Sequence, residues 1–502
     1  MYVFYVVISM FTKEKLKLKS TSTSVTTTVS NPNRWKALSI LSLAQFLIIL
    51  DTSIIGVALP TIQQHFSITQ TELQWIFNAY VIAFGTMLLL GGRLSDIFGQ
   101  KKIFVAGFLV LTASSILAGI ASSHDILVAA RALQGLGAAL IAPSALSIVM
   151  SLFANNKSEM NKAMGIWGAS APAGGTAGVF LGGLITAWFD WPWVFLINVP
   201  IGIAVLILTP KLIPSGIRKN GNIDYLGSIS ITVSLVLLVY AIVTANDIGW
   251  LSAQTISFLS ASAILFAGFI AIEKRSKNPL LPLHIFKTIN LLSGNMVMAL
   301  LGAAWVSMWF FLNLYLQQIL NYGAFESGLA LLPMTLLIMI MMIGSTPKLI
   351  GKFGIKVNLI LGLTLLAIGM TLFSFTPANT ITTEGTNKIF MAYVLPASII
   401  SALGMSFAYI PALTASVANA KKEDTGIASG LVNTTYQIGS ALGLAITVAI
   451  ASTHTDTLIK IGTANLDAIN NGFHLAFIGA ALVSALAATI SLVYIKSSRK
   501  EK

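Results

Sequence analysis

The sequence contains no cysteine in 502 residues, which removes disulfides, thiol catalysis and cysteine-ligated metals. Charge is scarce too: Asp, Glu, Lys and Arg make up 9% of the chain, where water-soluble chains carry about a quarter. Acids are rarer still, 17 against 30 bases. The five histidines, His65, His124, His284, His454 and His474, fall in loops or near the ends of apolar runs, so no metal cluster is expected inside them. No glycine-rich phosphate loop of the P-loop type is present, which sets ATP aside as a direct fuel. No cofactor is expected.

What the chain has in quantity is apolar length. It is 56% hydrophobic, with a mean hydropathy of +0.84. Fourteen apolar runs follow one another at about 37–59, 75–90, 103–121, 126–150, 163–188, 193–212, 225–244, 256–272, 291–316, 328–346, 357–375, 389–412, 427–451 and 473–495, close to the length that crosses a bilayer as a helix. The net charge of +13 raises a nucleic-acid reading, and its distribution decides against one. The bases sit in short loops between apolar runs and form no continuous face.

Those bases alternate. Lys13, Lys15, Lys17, Lys19, Arg34 and Lys36 precede the first run, and every second connection thereafter is basic: Arg93/Lys101/Lys102, Lys157/Lys162, Lys211/Arg218/Lys219, Lys274/Arg275/Lys277/Lys287, Lys348/Lys352/Lys356 and Lys421/Lys422. The connections between hold only Lys388 and Lys460. By the positive-inside rule this predicts an even number of spans with both termini in the cytoplasm. In residues 1–36 the lysines follow the apolar start, where a signal peptide would place them before it, so this segment reads as a cytosolic tail.

Two segments occur twice. Gly91–Lys102, between the second and third runs, is echoed by 347–356: Arg93 falls on Lys348, Leu94 on Leu349, Phe98 on Phe353, Gly99 on Gly354 and Lys101 on Lys356. Gly165, Gly178, Leu181, Gly182 and Thr186 of the fifth run fall on Gly426, Gly439, Leu442, Gly443 and Thr447 of the thirteenth. A shift of eight spans, six plus two, predicts an all-α integral membrane protein of two pseudo-repeated six-helix bundles with two inserted helices. The divisions expected are a tail at 1–36, a bundle at 37–213, the inserted pair and a cytosolic linker at 214–287, a second bundle at 288–495 and a tail at 496–502. Paired repeats of this kind enclose a pathway at the bilayer midplane.

Asp51 is the one acid deep within a run. Intramembrane acids are costly and default to a functional role. Desolvation favours the neutral form of a carboxylic acid, so access to water decides its charge, as a proton carrier requires; a permanent pairing is the structural alternative. Arg131 is the other buried charge, with Gln134 and Gly135 on its face. It cannot release its proton, so it either biases a neighbour or binds an anion, unless it reaches up to the surface. Gly174, Gly178 and Gly182, with Gly175 and Gly183 beside them, leave a groove where another helix can come close. Asn78, Tyr80, Asn295, Asn313, Gln317, Tyr409, Asn433, Tyr436 and Gln437 are polar candidates for a lining, or interhelical hydrogen bonds. The methionines and tryptophans, Met334, Trp305 and Trp309 among them, suit packing and also adaptable apolar recognition.

These residues together resemble the major facilitator superfamily, in its fourteen-spanner drug:proton antiporter branch, over nearly everything after Trp35. Gly92, Arg93, Asp96, Gly99 and Lys101 match the signature loop, with Ile97 where arginine is usual. Asp51-Thr52 and Ala58-Leu59-Pro60 match the first-helix motif, with Gly56 where asparagine is common. Arg131, Gln134, Gly135 and Gly137 match the fourth-helix motif. Gly178 and Gly182-Gly183 match the antiporter motif, with Val179 at the usual proline, and Asn198–Gly202 resembles the stretch that follows, after Pro192 for arginine. The resemblance implies a monomeric cell-membrane exporter of amphipathic drugs or toxic compounds in exchange for protons, with Asp51 and Arg131 in coupling, the signature loop in gating, and no nucleic-acid partner. Export of one defined metabolite, amino acid or antibiotic is the alternative on the same fold. A non-transporting scaffold or sensor would need an appended soluble domain, and an enzyme would need convergent catalytic side chains; neither is read here.

Overall fold

The computed structural model describes residues 33–496, apart from 154–155, 215–223, 277–278, 282, 379–382 and 418–424. The expected tails, 1–36 up to Asn33 and 496–502 beyond Lys496, lie outside it, as do Lys421 and Lys422. Among the described residues there are helices and no strands. In chain order they are α1 (Arg34–Phe66), α2 (Gln70–Phe98), α3 (Gln100–Gly119), α4 (His124–Phe153), α5 (Lys157–Phe189), α6 (Trp193–Leu212), α7 (Tyr225–Ile248), α8 (Ala253–Arg275), α9 (Leu291–Ile319), α10 (Ala324–Phe353), α11 (Ile355–Phe373), α12 (Gly385–Val417), α13 (Thr425–Lys460) and α14 (Asn465–Tyr494).

Twelve of these are long and apolar enough to cross a membrane, and thirteen if the bent α2 counts as one span. The expected fifth span, α5, falls outside that number because its glycines and polar residues dilute its hydropathy, although it is 33 residues long. α1 runs from Arg34 to Phe66, beyond both limits expected from hydropathy, because polar residues such as Gln63, Gln64 and His65 extend it past the apolar run.

The packing repeats with the same shift of eight. α1 packs on α5 as α9 packs on α13; α3 on α4 as α11 on α12; α2 on α4 as α10 on α12; α3 on α6 as α11 on α14. The halves meet through α5 against α10 and α2 against α13, which are also related by the shift. α7 and α8 pair with each other, and α7 rests on α2 and α13. The end of the molecule holding Arg34 and Tyr494 is called the near end below, the opposite one the far end.

The signature stretch is not the loop the sequence suggests. α2 stays helical through Gly92, Arg93 and Asp96 to Phe98, after a 49° bend between Leu88 and Leu90. The single break is Gly99, at φ 100°, whose N–H donates to the Ser95 carbonyl. Gly354 does the same at φ 82° with the Ile350 carbonyl. Residues with a Cβ rarely adopt this backbone, which explains why both echoes hold glycine.

Candidate functional site

Asp51 and Arg131 face each other inside the N-terminal half. Arg131 Nη1 donates to Asp51 Oδ2 at 2.7 Å, and both side chains are 0% exposed. Arg131 therefore turns inward and does not reach the surface. Two further side chains, Asn198 and Gln134, close the site. Asn198 Nδ2 donates to Asp51 Oδ1 at 2.6 Å, Gln134 Nε2 approaches the same oxygen at 3.4 Å, and Arg131 Nη1 also donates to Gln134 Oε1 at 2.9 Å. Arg131 Nε donates to the Ile76 carbonyl at 3.1 Å, and Gln134 Nε2 to Ser115 Oγ at 2.8 Å. The carboxylate thus draws partners from α4 and α6, and the arginine from α1 and α2.

Helical geometry accounts for part of this. Arg131 and Gln134 are three residues apart and share a face. Gly135, one turn past Arg131, lets α4 lie against the Tyr80 carbonyl of α2, which brings the arginine under Tyr80. Its guanidinium carbon sits 4.4 Å from the Tyr80 ring centroid and 5.8 Å from that of Phe195. Aromatic faces favour a desolvated cation. Arg131 Nη2 and Asn198 Oδ1 have no hydrogen-bond partner among the described residues.

The glycines of α5 support the same helix. A Cβ placed on Gly178 would lie 2.8 Å from the Leu50 carbonyl, and one on Gly182 2.8 Å from the Ile54 carbonyl; Gly174 meets the Phe46 carbonyl. The stripe therefore tracks α1 in steps of four on either side of Asp51. Gly183 faces the other way, 2.8 Å from the Ala324 carbonyl of α10 by the same measure. Gly439 and Gly443 repeat the stripe, against Ala299 and Ala303 of α9.

The remaining candidates divide. Tyr80 is 0% exposed and holds its ring against Arg131 within the N-terminal half. Asn78 is 0% exposed, and neither of its amide atoms has a partner among the described residues. Gln317 Nε2 donates to the Val57 carbonyl at 2.9 Å and so joins the halves, while Asn313 Nδ2 turns back to the Trp309 carbonyl at 2.8 Å. In the C-terminal half Tyr409 meets Tyr436 edge to face, centroids 5.7 Å apart, and Asn433 Nδ2 bonds the Ser429 carbonyl at 3.0 Å. The Gln437 Cβ lies against Gly85 of α2. Lys101 Nζ donates to the Pro210 carbonyl at 3.0 Å.

Asn198, Ser115 and the Ile76 carbonyl were not anticipated as site groups. Asn198 had a signal, an isolated amide inside an apolar run; a serine or a backbone carbonyl has none.

Between α5 and α10, and between α1 and α9, the halves touch from mid-helix to the far end. Thr176 Oγ1 donates to the Thr335 carbonyl at 3.4 Å, Trp188 stacks on Phe325 with centroids 6.1 Å apart, and Gln318 Nε2 donates to Gln63 Oε1 at 2.8 Å. Toward the near end α5 and α10 part: a Cβ on Gly165, Gly168, Gly344 or Gly351 would meet nothing within 4 Å among the described residues.

The sequence model of the Major Facilitator Superfamily matches residues 41–444. The chain is 34% identical over 425 residues to the cephamycin export protein CmcT of Amycolatopsis lactamdurans, covering 84% of this chain and 85% of that one. It is 32% identical over 474 residues to the puromycin resistance protein pur8 of Streptomyces alboniger, covering 93% and 92%. Among solved structures it resembles the POT family transporter PepTSo, with a TM-score of 0.65 and 16% identity over 91% of this chain and 98% of that one. The nucleoside transporter NupG is matched with a TM-score of 0.61 and 12% identity, over 92% and 100%.

Proposed function

This chain belongs to the Major Facilitator Superfamily, and from that membership we propose that it exports amphipathic drugs or toxic compounds by alternating access, in exchange for protons. It is a multi-pass membrane transporter, not an enzyme. Its relatives carry the names of antibiotic export and resistance proteins, which favours an antibiotic-like cargo. All fourteen helices would cross the cell membrane, with the near end in the cytoplasm and the chain acting as a monomer. The near end would then be the open one, as a pump loading from the cytoplasm requires.

The observation that carries the coupling is the fully buried Asp51–Arg131 pair. A proton on Asp51 removes the negative charge and leaves the Arg131 cation buried without compensation. Breaking a buried pair from one side costs about 3–5 kcal/mol, enough to force a rearrangement. Arg131 keeps its charge throughout. The pair lies within the N-terminal half and the pathway runs between the halves, so proton and cargo would communicate through α1. Moving one charge down ~100 mV yields about 2.3 kcal/mol. At ~1.4 kcal/mol per tenfold this sustains on the order of a fifty-fold gradient.

Asp51→Asn keeps volume and polarity but removes the titratable proton. In proteoliposomes under an imposed pH gradient this variant should insert normally and fail to move cargo uphill, with no cargo-dependent proton movement. Asp51→Glu should keep partial activity. Full proton-coupled flux in Asp51→Asn would place the coupling group elsewhere.

A further inference from the structure

α1 presents two faces to different partners. Asp51 points into the N-terminal half. Gly56, five positions on and about 140° round the helix, meets the C-terminal half. A Cβ placed on Gly56 would lie 2.9 Å from Trp309 Nε1, 3.4 Å from Asn313 Nδ2 and 3.5 Å from Trp309 Cδ1. The indole therefore occupies the space that a side chain at position 56 would take. Trp305, one turn nearer the near end, stacks on it with centroids 6.2 Å apart and planes at 22°.

The neighbouring contacts set the register of this joint. Trp309, Asn313 and Gln317 follow one another at four-residue steps along one face of α9, and Gln317 and Gln318 bond Val57 and Gln63 of α1. Pro60 lies four residues beyond Gly56 in the same helix. It has no N–H for the Gly56 carbonyl and its ring crowds that carbonyl, so the hydrogen-bond ladder of α1 is weakest where the indole sits. Trp309 is partly buried and is the largest side chain at this joint, bulkier than the Asn313, Gln317 and Gln318 amides beside it.

We propose that Trp309 is the gating residue of the pathway: seated at Gly56 it closes the far end, and the far end opens only when the indole leaves that notch. The inference rests on the alternating-access reading above. The notch and Asp51 share one helix, so a shift of α1 that follows loss of the Asp51 charge moves the seat of the indole with it.

Val57 is fully buried beside the joint, and the chain has no native thiol. The rate at which a maleimide labels Val57→Cys in detergent-purified protein therefore reports how often the joint opens. Adding Gly56→Val overpacks the notch and should raise the rate about tenfold. Adding Trp309→Ala removes the plug and should raise it similarly. The two together fit a larger side chain into the vacated space and should bring the rate back toward that of Val57→Cys alone, which general disruption would not do. Where Gly56→Val does not elute as a single folded species, Gly56→Ser replaces it and should show a smaller rise with the same compensation. Unchanged rates in the single variants, or additive rises in the pair, would overturn the gate. If the rates follow this pattern while a pH gradient drives no flux in the native chain, the gate stands and the proton-coupled reading falls.

Discussion

At the residue scale, Asp51 pairs with Arg131 where neither side chain has any exposed surface. Removing both charges from water is expensive, and the pair is stable only because Asn198, Gln134 and the Ile76 carbonyl take up further valences. Removing one partner is therefore worse than removing both. Arg131→Met leaves a bare carboxylate and should lower unfolding stability by about 3–5 kcal/mol, while the double variant Arg131→Met/Asp51→Asn should recover most of that loss. Thermal unfolding in detergent measures both. Simple addition of the two single losses would show that the charges do not depend on each other.

At the scale of single elements, α5 is the helix whose composition most constrains its surroundings. Gly178 lets α5 approach the Leu50 carbonyl to a distance that no larger residue allows, whereas a Cβ on Gly168 of the same helix would meet nothing within 4 Å among the described residues. Gly178→Leu should thus abolish transport while the protein still reaches the membrane, and Gly168→Leu should be tolerated; equal transport in both would make the stripe incidental. The breaks in α2 and α10 also correspond. α2 bends at Leu88–Leu90, about ten residues before Gly99, and α10 passes through a π-helical turn at Met341–Ser345, at a similar distance before Gly354. Each break precedes a position of positive φ that favours glycine. Replacing Gly99 or Gly354 by alanine should cost about 1–3 kcal/mol, read as a lower midpoint of thermal unfolding.

At the scale of the whole molecule, the proposed orientation is open to a direct test, because the chain has no cysteine of its own. Ala464 is exposed in the far-end turn between α13 and α14, and Gly351 is exposed at the near end of α10. In intact cells an impermeant thiol reagent should reach Ala464→Cys and not Gly351→Cys. Labelling of both, or of Gly351→Cys alone, would reject cytoplasmic termini and with them the reading of the near end as the loading side.

Much of this was legible in the chain itself. Helices long enough to span follow from apolar runs, because hydrocarbon offers the backbone no hydrogen bonds and forces it to satisfy itself. The duplication showed in paired echoes, since Gly99 and Gly354 answer the same backbone demand and Gly178 and Gly439 the same close approach. Asp51 and Arg131 stood out because a charge in an apolar run is rare enough to carry meaning alone. What the chain could not disclose was which of those charges meet, since Asp51, Arg131 and Asn198 are brought together from three helices by packing alone. Nor did the polarity of Tyr80 and Gln317 reveal that one stacks against an arginine and the other bridges the halves. The Gly56 notch was equally silent, because a glycine shows only that a side chain is missing. What fills the space is decided by the helix across from it, and here that is Trp309.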